Sequence, residues 1–366
     1  MNITVIGGGP IGTYAASLIS KKQGGVTLYE KKKEIGIPIQ CTGILTEEIK
    51  NITKEKSFIQ NKIFVARIYS PNNKFEVKFK KPNLIVNRYL FDQHFLNKAI
   101  DNETKIVYGS RFEKGIIKKT GQKPLRVKGI LVGADGPLSE VSKNYSKQGF
   151  RKNEVYFGAQ ATVKIANDNA VDFYPHIGQY AWAVPEDEKY VRVGVATKIG
   201  ESAPKLLKNF LKKYPGKIID RQAGLIPIYN PQKKIALEIK NISAFLVGDS
   251  AAQIKNTTGG GLIPGLMAAE ELTTSLNKNS EKSNKKLVQD YQKLCKKRIG
   301  QKLWVHYIVR KIMDRLSSKE WDDLIEDMNK SKEAFSENNR DQPIKMITKA
   351  VTKNPRLIKY AKHIIM

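Results

Sequence analysis

The chain is expected to fold as an α/β protein: a Rossmann-like dinucleotide-binding domain, an inserted β-sheet domain of α+β character, and a C-terminal helical region. Three observations carry this expectation. Gly7-x-Gly9-x-x-Gly12 stands between a short apolar strand and a helix of small residues. A distant second run, Leu246-Val247-Gly248-Asp249-Ser250-Ala251-Ala252 followed by Thr258-Gly259-Gly260-Gly261-Leu262, again joins a strand to a helix through glycines. Between the two runs strand patterns dominate, and beyond about Ser283 they give way to Lys-rich helical text.

The elements follow in order. Ile3-Thr4-Val5-Ile6 is an apolar strand, and Ala15, Ala16, Leu18 and Ile19 mark a helix that must lie close to the sheet. The glycines between them allow a tight turn and bring a pyrophosphate up to the helix N-terminus, where free N–H groups and the dipole favour anions. Val26-Thr27-Leu28-Tyr29 is the second strand. It ends at Glu30, near the ~20-residue spacing at which an acid meets a ribose hydroxyl, with Lys31, Lys32 and Lys33 directly after. Lys62 to Phe79 alternates as a hairpin turning at Pro71-Asn72-Asn73. Arg88 to Ala99 has helical spacing, and Gly129 to Gly136 is a buried strand running into a turn. Val155 to Ile239 is strand-rich, with Tyr180–Pro185 and Tyr190–Val195 as neighbours. The expected domains are therefore a discontinuous dinucleotide-binding unit (1–50, 84–150 and 243–282), a β-rich substrate unit (51–83 and 151–242) and a helical region (283–366).

Composition limits the function classes. The 366 residues include 64 basic and 35 acidic ones, a net charge of +29. Such a field attracts phosphate on nucleic acid or on anionic lipid, although a Lys-rich surface background explains it as well. The basic runs, such as Lys296-Lys297-Arg298, lack the interleaved aromatics of a single-strand nucleic-acid surface. No apolar stretch approaches the ~18 residues of a membrane span, and a strand at Ile3 leaves no room for a signal peptide. Two cysteines, Cys41 and Cys295, offer no disulfide framework and point to a reducing, cytoplasmic setting. His94, His176, His306 and His363 lack zinc-ligand spacing, so no metal is expected.

Asp249 is delivered to a strand tip, where a carboxylate can meet a chain of hydroxyls. The glycines at 259–261 let backbone approach a flat ring. The plainer role for Asp249 is a helix N-cap. Two nucleotide-contacting segments so far apart suit a long dinucleotide, FAD.

Gly133-Ala134-Asp135-Gly136-x-x-Ser139-x-Val141, taken with Gly248-Asp249 and the triple glycine, is similar to the signature set of flavoproteins with the hydroxylase-like fold. Three more segments resemble the geranylgeranyl reductase family. Glu34 to Ile44 resembles the segment that carries a cysteine beside the flavin; Asn87-Arg88-x-x-Phe91-Asp92 resembles a helix start whose arginine contacts FAD; Tyr180-x-Trp182-x-x-Pro185 resembles an aromatic motif lining an isoprenoid pocket. Ala223–Pro227, Tyr291–Arg298 and Asn354–Leu357 extend the resemblance, most closely to archaeal members, over nearly the whole chain. Ile177 and Val184 depart from the family's usual proline and phenylalanine, which bears on pocket shape.

The resemblance implies FAD-dependent reduction of isolated C=C bonds in geranylgeranyl chains, on archaeal ether phospholipids. The glycine fingerprint and the acid that follows it make Gly7, Gly9, Ile11, Gly12, Glu30 and Lys31 the candidates for the pyrophosphate and adenosine ribose of FAD. By the resemblance, Cys41, Thr42, Gly43, Arg88, Asp249, Gly260, Gly261 and Leu262 fall at the flavin half, and Tyr180, Trp182 and Pro185 at the substrate. Cys41 is the catalytic candidate, against the plainer role of a small hydrophobe. NAD(P)H, ferredoxin or a reduced deazaflavin would supply electrons. Trp304–Val309 and Leu357–Ile365 mix apolar and basic residues at helical spacing. Such helices lie in a bilayer interface or pack on the catalytic domain, the first giving peripheral contact with the cytoplasmic membrane face. The rivals are a monooxygenase or halogenase of the same fold acting on a small aromatic substrate and a basic flavoprotein that binds or modifies tRNA.

Overall fold

The structure is a computed structural model that describes residues 2–146, 154–278, 283–337 and 341–364. The expected boundary at 150/151 lies outside the described residues, as do residue 282 and Ile365.

The N-terminal strand pattern builds a six-stranded sheet in the order Ala236–Ile239, Ile242–Leu246, Gly129–Gly133, Ile3–Ile6, Val26–Tyr29, Lys105–Val107. All neighbours run parallel except the first pair. Parallel sheets are covered on both faces, and Val5, Leu28, Leu131 and Val132 are fully buried accordingly. Helix Pro10–Gln23 opens with proline at its first position, where no N–H is needed and φ is already helical. Its Ala15, Ala16 and Ile19 pack in one core with Phe91 and Phe95 of helix Arg88–Asp101 and with Leu266, Ala268 and Leu272 of helix Leu262–Lys278. The small residues let these helices approach closely: a Cβ on Gly265 would lie 2.7 Å from the Ile11 side chain and 3.0 Å from Gly248 Cα.

The second sheet has eight strands in the order Lys217–Pro227, Val155–Lys164, Tyr190–Lys198, Tyr180–Pro185, Ala170–Tyr174, Ile59–Tyr69, Lys74–Val86, Ile44–Leu45. The hairpin expected over Lys62–Phe79 forms, and its second strand runs on to Val86. Leu84-Ile85-Val86 is buried as a continuous run, so alternation fades there although the strand continues. Two short strands fall on the other side of the expected divisions. Ile44–Leu45, read into the dinucleotide-binding unit, pairs with Ile85 and Leu84 at the edge of the eight-stranded sheet. Ala236–Ile239, read into the substrate unit, edges the six-stranded sheet. Strands of two and four residues are too short to display a period.

Helix Ala203–Phe210 interrupts the strand-rich region, capped by Ser202 and burying Leu207 and Phe210. Ser110–Glu113, Ile116–Lys119 and Leu125–Arg126 form a separate three-stranded sheet.

The tail is helical: Asn284–Cys295, Gln301–Met313, Ser318–Asn329 and Pro343–Lys353, then the 3₁₀ run Pro355–Ile364. Tyr291, fully buried, donates its hydroxyl to Leu246 O at 2.7 Å and ties the tail to the strand that delivers Asp249. Ser318–Asn329 starts with a Ser317/Glu320 capping box and packs Ile325 on Phe75, Val77 and Phe79 of the hairpin. Among the described residues no helix is long and apolar enough to cross a membrane.

Candidate functional site

A cleft of about 610 Å³ opens beyond the C-terminal ends of the six-stranded sheet, where open α/β sheets bind their ligands. At one end it is lined by Gly7, Gly9, Ile11, Gly12, Glu30 and Lys31. Gly7 has φ +106°, and a Cβ there would meet Ala134 O at 2.3 Å, so only glycine fits. A Cβ on Gly12 would lie 2.0 Å from Gly7 O. At Gly9 it would meet nothing within 4 Å: the start of helix Pro10–Gln23 faces open space, with no side chain capping it. Glu30 is buried, and its carboxylate accepts Gly8 N at 2.6 Å and Lys32 N at 2.8 Å. It therefore pins the glycine loop while facing the cleft.

At the other end stand Asp249, Gly261 and Leu262. Ser250 Oγ donates to Gly133 O at 2.6 Å, and Gln253 Oε1 accepts Gly248 N at 2.7 Å, which fixes the turn carrying Asp249. Burial pushes the Asp249 carboxyl up to about 6, with the Arg88 charge pulling the other way. Among the described residues no hydrogen bond reaches this carboxylate. A Cβ on Gly261 would lie 3.0 Å from its Oδ1. A partly buried carboxylate without donors is costly, and a ligand's hydroxyls would remove that cost. An open helix N-terminus at one end and this carboxylate at the other fit a flavin dinucleotide. Asp135, of the third motif, also lines the cleft and caps its own turn, accepting from Ser139 Oγ at 2.5 Å and Val141 N at 3.1 Å.

A second cavity, of about 490 Å³, lies between the eight-stranded sheet and the tail. Tyr180, Trp182 and Val184 project into it from one strand. Pro185 does not line it: side chains alternate along a strand, which turns residue 185 to the opposite face from 180, 182 and 184. Trp182 lies over Gly194 on the neighbouring strand, where a Cβ would meet its ring at 2.3 Å. The Tyr180 hydroxyl and Trp182 Nε1 are buried without a hydrogen-bond partner among the described residues. The far wall is apolar and comes largely from the hairpin and tail, with Phe75, Ile325, Met328, Phe335, Met346 and Leu357. The near wall is polar: Thr42 Oγ1 donates to Gln160 Oε1 at 3.3 Å, and Gln160 Nε2 to Gln222 Oε1 at 2.7 Å.

The two cavities share a wall made of Gln40, Cys41, Gly224, Leu225, Ile226 and Gly259. Cys41 is partly exposed there, and its Sγ accepts Gly43 N at 3.4 Å. Arg88 stands beside it, held by Asp92 at 2.9 Å. Burial opposes the Arg88 charge, but Cys41 and Asp92 outweigh it and keep the guanidinium firmly protonated.

Two expected cofactor residues line neither cavity. Gly43, at φ +75°, lets the strand containing Val86 approach; a Cβ there would lie 2.6 Å from Val86 O. Gly260 accepts Lys255 N at 3.1 Å and braces the glycine loop. The Lys255 ammonium in turn pairs with Asp341, which also accepts from Thr46 Oγ1. Ile177 packs on the core around Ala203 and Leu207, so of the two departures only Val184 faces the cavity. Sequence reasoning missed Gly194 and Arg192, the latter donating to Cys41 O at 2.6 Å. Both had a signal: an isolated glycine inside a strand marks close approach, and an arginine interrupts an otherwise apolar strand.

No family model matches the chain. Curated proteins named digeranylgeranylglycerophospholipid reductase match along its length; that of Methanosphaera stadtmanae is 28% identical over 361 residues, covering 89% of this chain and 90% of the relative. The chain is a homologue of these reductases. Among solved structures, a geranylgeranyl bacteriochlorophyll reductase-like protein from Thermoplasma acidophilum has a TM-score of 0.81 at 24% identity, covering 99% of this chain and 98% of its own. A flavin-dependent halogenase has a TM-score of 0.63 at 14% identity, covering 93% and 71%. The fold is the one these two proteins share, as the sequence motifs imply.

Proposed function

We propose that this homologue is an FAD-dependent oxidoreductase that saturates C=C bonds of geranylgeranyl chains on archaeal ether phospholipids. The observation that carries the proposal is the shared wall at Cys41 and Gly259, where a long apolar cavity meets a cleft shaped for a flavin dinucleotide. The names of the homologous reductases support the same reading. The halogenase-like alternative fits less well, since those structures share the fold at much lower similarity.

When bound and reduced, FAD supplies the hydride. The helix start at Gly9 would hold the pyrophosphate, Glu30 the adenosine ribose, and Asp249 the ribityl hydroxyls, while Gly261, without a side chain, and Leu262 would border the ring. An isolated alkene offers no carbonyl to polarise. What remains for the protein is alignment, exclusion of water and a placed proton. Apolar burial holds the chain at roughly 25 cal/mol per Å², Tyr180 and Trp182 orient it, and Cys41 Sγ holds a proton at the wall facing both cavities.

The tail both lines the cavity, through Met346 and Leu357, and exposes Trp304, Ile344, Ile358 and Ile364 among Lys345, Lys349, Lys359 and Lys362. A basic surface with exposed apolar residues suits peripheral contact with an anionic membrane, from which a lipid would enter.

The test is anaerobic. The purified protein is examined for a flavin spectrum and reduced with dithionite, and geranylgeranyl lipids are followed by mass spectrometry. The expected result is a gain of one H₂ per reduced double bond. NAD(P)H, ferredoxin and reduced deazaflavin are then compared as donors. Hydroxylated product on reoxidation by oxygen, with no such gain, overturns the proposal in favour of a monooxygenase.

A further inference from the structure

Cys41 lies in the segment from Lys31 to Gly43, which contains neither helix nor strand. Regular backbone pairing therefore does not place it, and side chains from elsewhere must. Gln40 Nε2 donates to Ala223 O at 3.0 Å. Closer to the sulfur, Arg192 Nη1 donates to Cys41 O at 2.6 Å. Arg192 sits opposite Val184, two residues from Gly194, which sits opposite Trp182. The same strand thus clears space for the Trp182 ring and reaches up to the cysteine.

Arg192 is paired with Glu186, and the two side chains are only 8% and 12% exposed. Glu186 is fixed in turn, its N–H donating to Tyr190 O at 2.8 Å. A buried ion pair is a poor source of net stability, because desolvation offsets the attraction. Its gain lies in fixing a geometry. We infer that the Arg192–Glu186 pair is a positioning device that holds the Cys41 backbone so that its thiol stays on the wall between the two cavities. Arg88, anchored by Asp92, also stands beside the sulfur. The inference rests on the proposed function only for the consequence of positioning, not for the positioning itself.

The experiment therefore has two readouts on the full chain. The first needs no substrate: the rate at which iodoacetamide alkylates Cys41, by peptide mass mapping, with and without bound flavin. Cys295 is buried and serves as an internal control. Arg192→Met and Glu186→Gln are expected to raise the Cys41 alkylation rate about tenfold, while Arg192→Lys keeps it near that of the parent protein. The second readout is lipid reduction. A misplacement of about an ångström costs up to about 10²-fold, so kcat should fall by that order in Arg192→Met with KM little changed. In a Cys41→Ala background the same substitution should cost nothing further.

An alkylation rate unchanged in both Arg192→Met and Glu186→Gln overturns the inference, as does a loss in the double variant that multiplies the two single losses. Glu186→Gln keeps the side-chain shape and decides the matter if Arg192→Met does not fold. If the parent protein reduces no alkene, the proposed function falls, while the alkylation arm still decides the positioning.

Discussion

Replacing Asp249 by asparagine should stabilise the cofactor-free protein and cripple the holoprotein. Burial raises the carboxyl from 3.8 to about 6. About two pKa units, at 1.36 kcal/mol each, come to about 3 kcal/mol. The sign follows from linkage. Below the unfolded value both states carry the proton and there is no cost. As pH rises from about 4 to about 6, the unfolded chain ionises first, so folding loses stability and does not regain it above the folded value. Asparagine cannot ionise, so Asp249→Asn should gain up to about 3 kcal/mol at about pH 7.5 and little near pH 4. Urea unfolding of cofactor-free protein at both pH values measures this. Flavin affinity should move the other way, falling about tenfold to a hundredfold, because hydrogen bonds to a charged acceptor contribute about 1.5–3 kcal/mol. A variant that is no more stable at the higher pH, or stabilised equally at both, refutes the reasoning.

Gly9→Ala should leave the cofactor-free melting temperature unchanged, since its Cβ meets no protein atom within 4 Å, yet lower flavin affinity at least about tenfold by fluorescence titration. Gly194→Ala forces a Cβ to within 2.3 Å of the Trp182 ring and should cost about 1–3 kcal/mol in urea unfolding, with lipid binding lost. Val184→Phe installs the residue usual here in the family the sequence resembles, where Val184 meets Ile63, Ile85 and Trp182; competition binding should keep geranylgeranyl chains bound while changing the preferred chain length. Ile344→Glu with Ile358→Glu should release the protein from anionic vesicles in sedimentation assays while turnover of a detergent-dispersed lipid persists.

The cleft at the ends of the parallel sheet was legible because its geometry is local. Gly7 and Gly12 admit no Cβ, and a strand tip must end in the residue that faces the ligand, so Glu30 and Asp249 stand where spacing puts them. The apolar cavity was legible only on its sheet side. Tyr180 and Trp182 announce themselves through alternation, and the same alternation removes Pro185. Met346 and Leu357 reach the cavity through tertiary folding of the tail, and helical periodicity cannot say which body a helix packs against. Gly43 and Gly260 were placed at the cofactor by their neighbours in sequence, whereas their own contacts are with backbone. Ile44–Leu45 shows the limit for secondary structure: two residues carry no period, and their sheet was settled by a partner forty residues away.

The wall common to the two cavities has a thermodynamic consequence. Ligands that share a boundary each complete the other's surface, so their affinities are coupled, and coupling between binding equilibria is reciprocal. Whatever factor a seated lipid adds to flavin retention, flavin must add to lipid retention. Each would also raise the melting temperature in the other's presence beyond the sum of their separate effects. Because Cys41 and Gly259 belong to both linings, substitutions at these two positions should change the coupling factor itself, and not merely one affinity or the other.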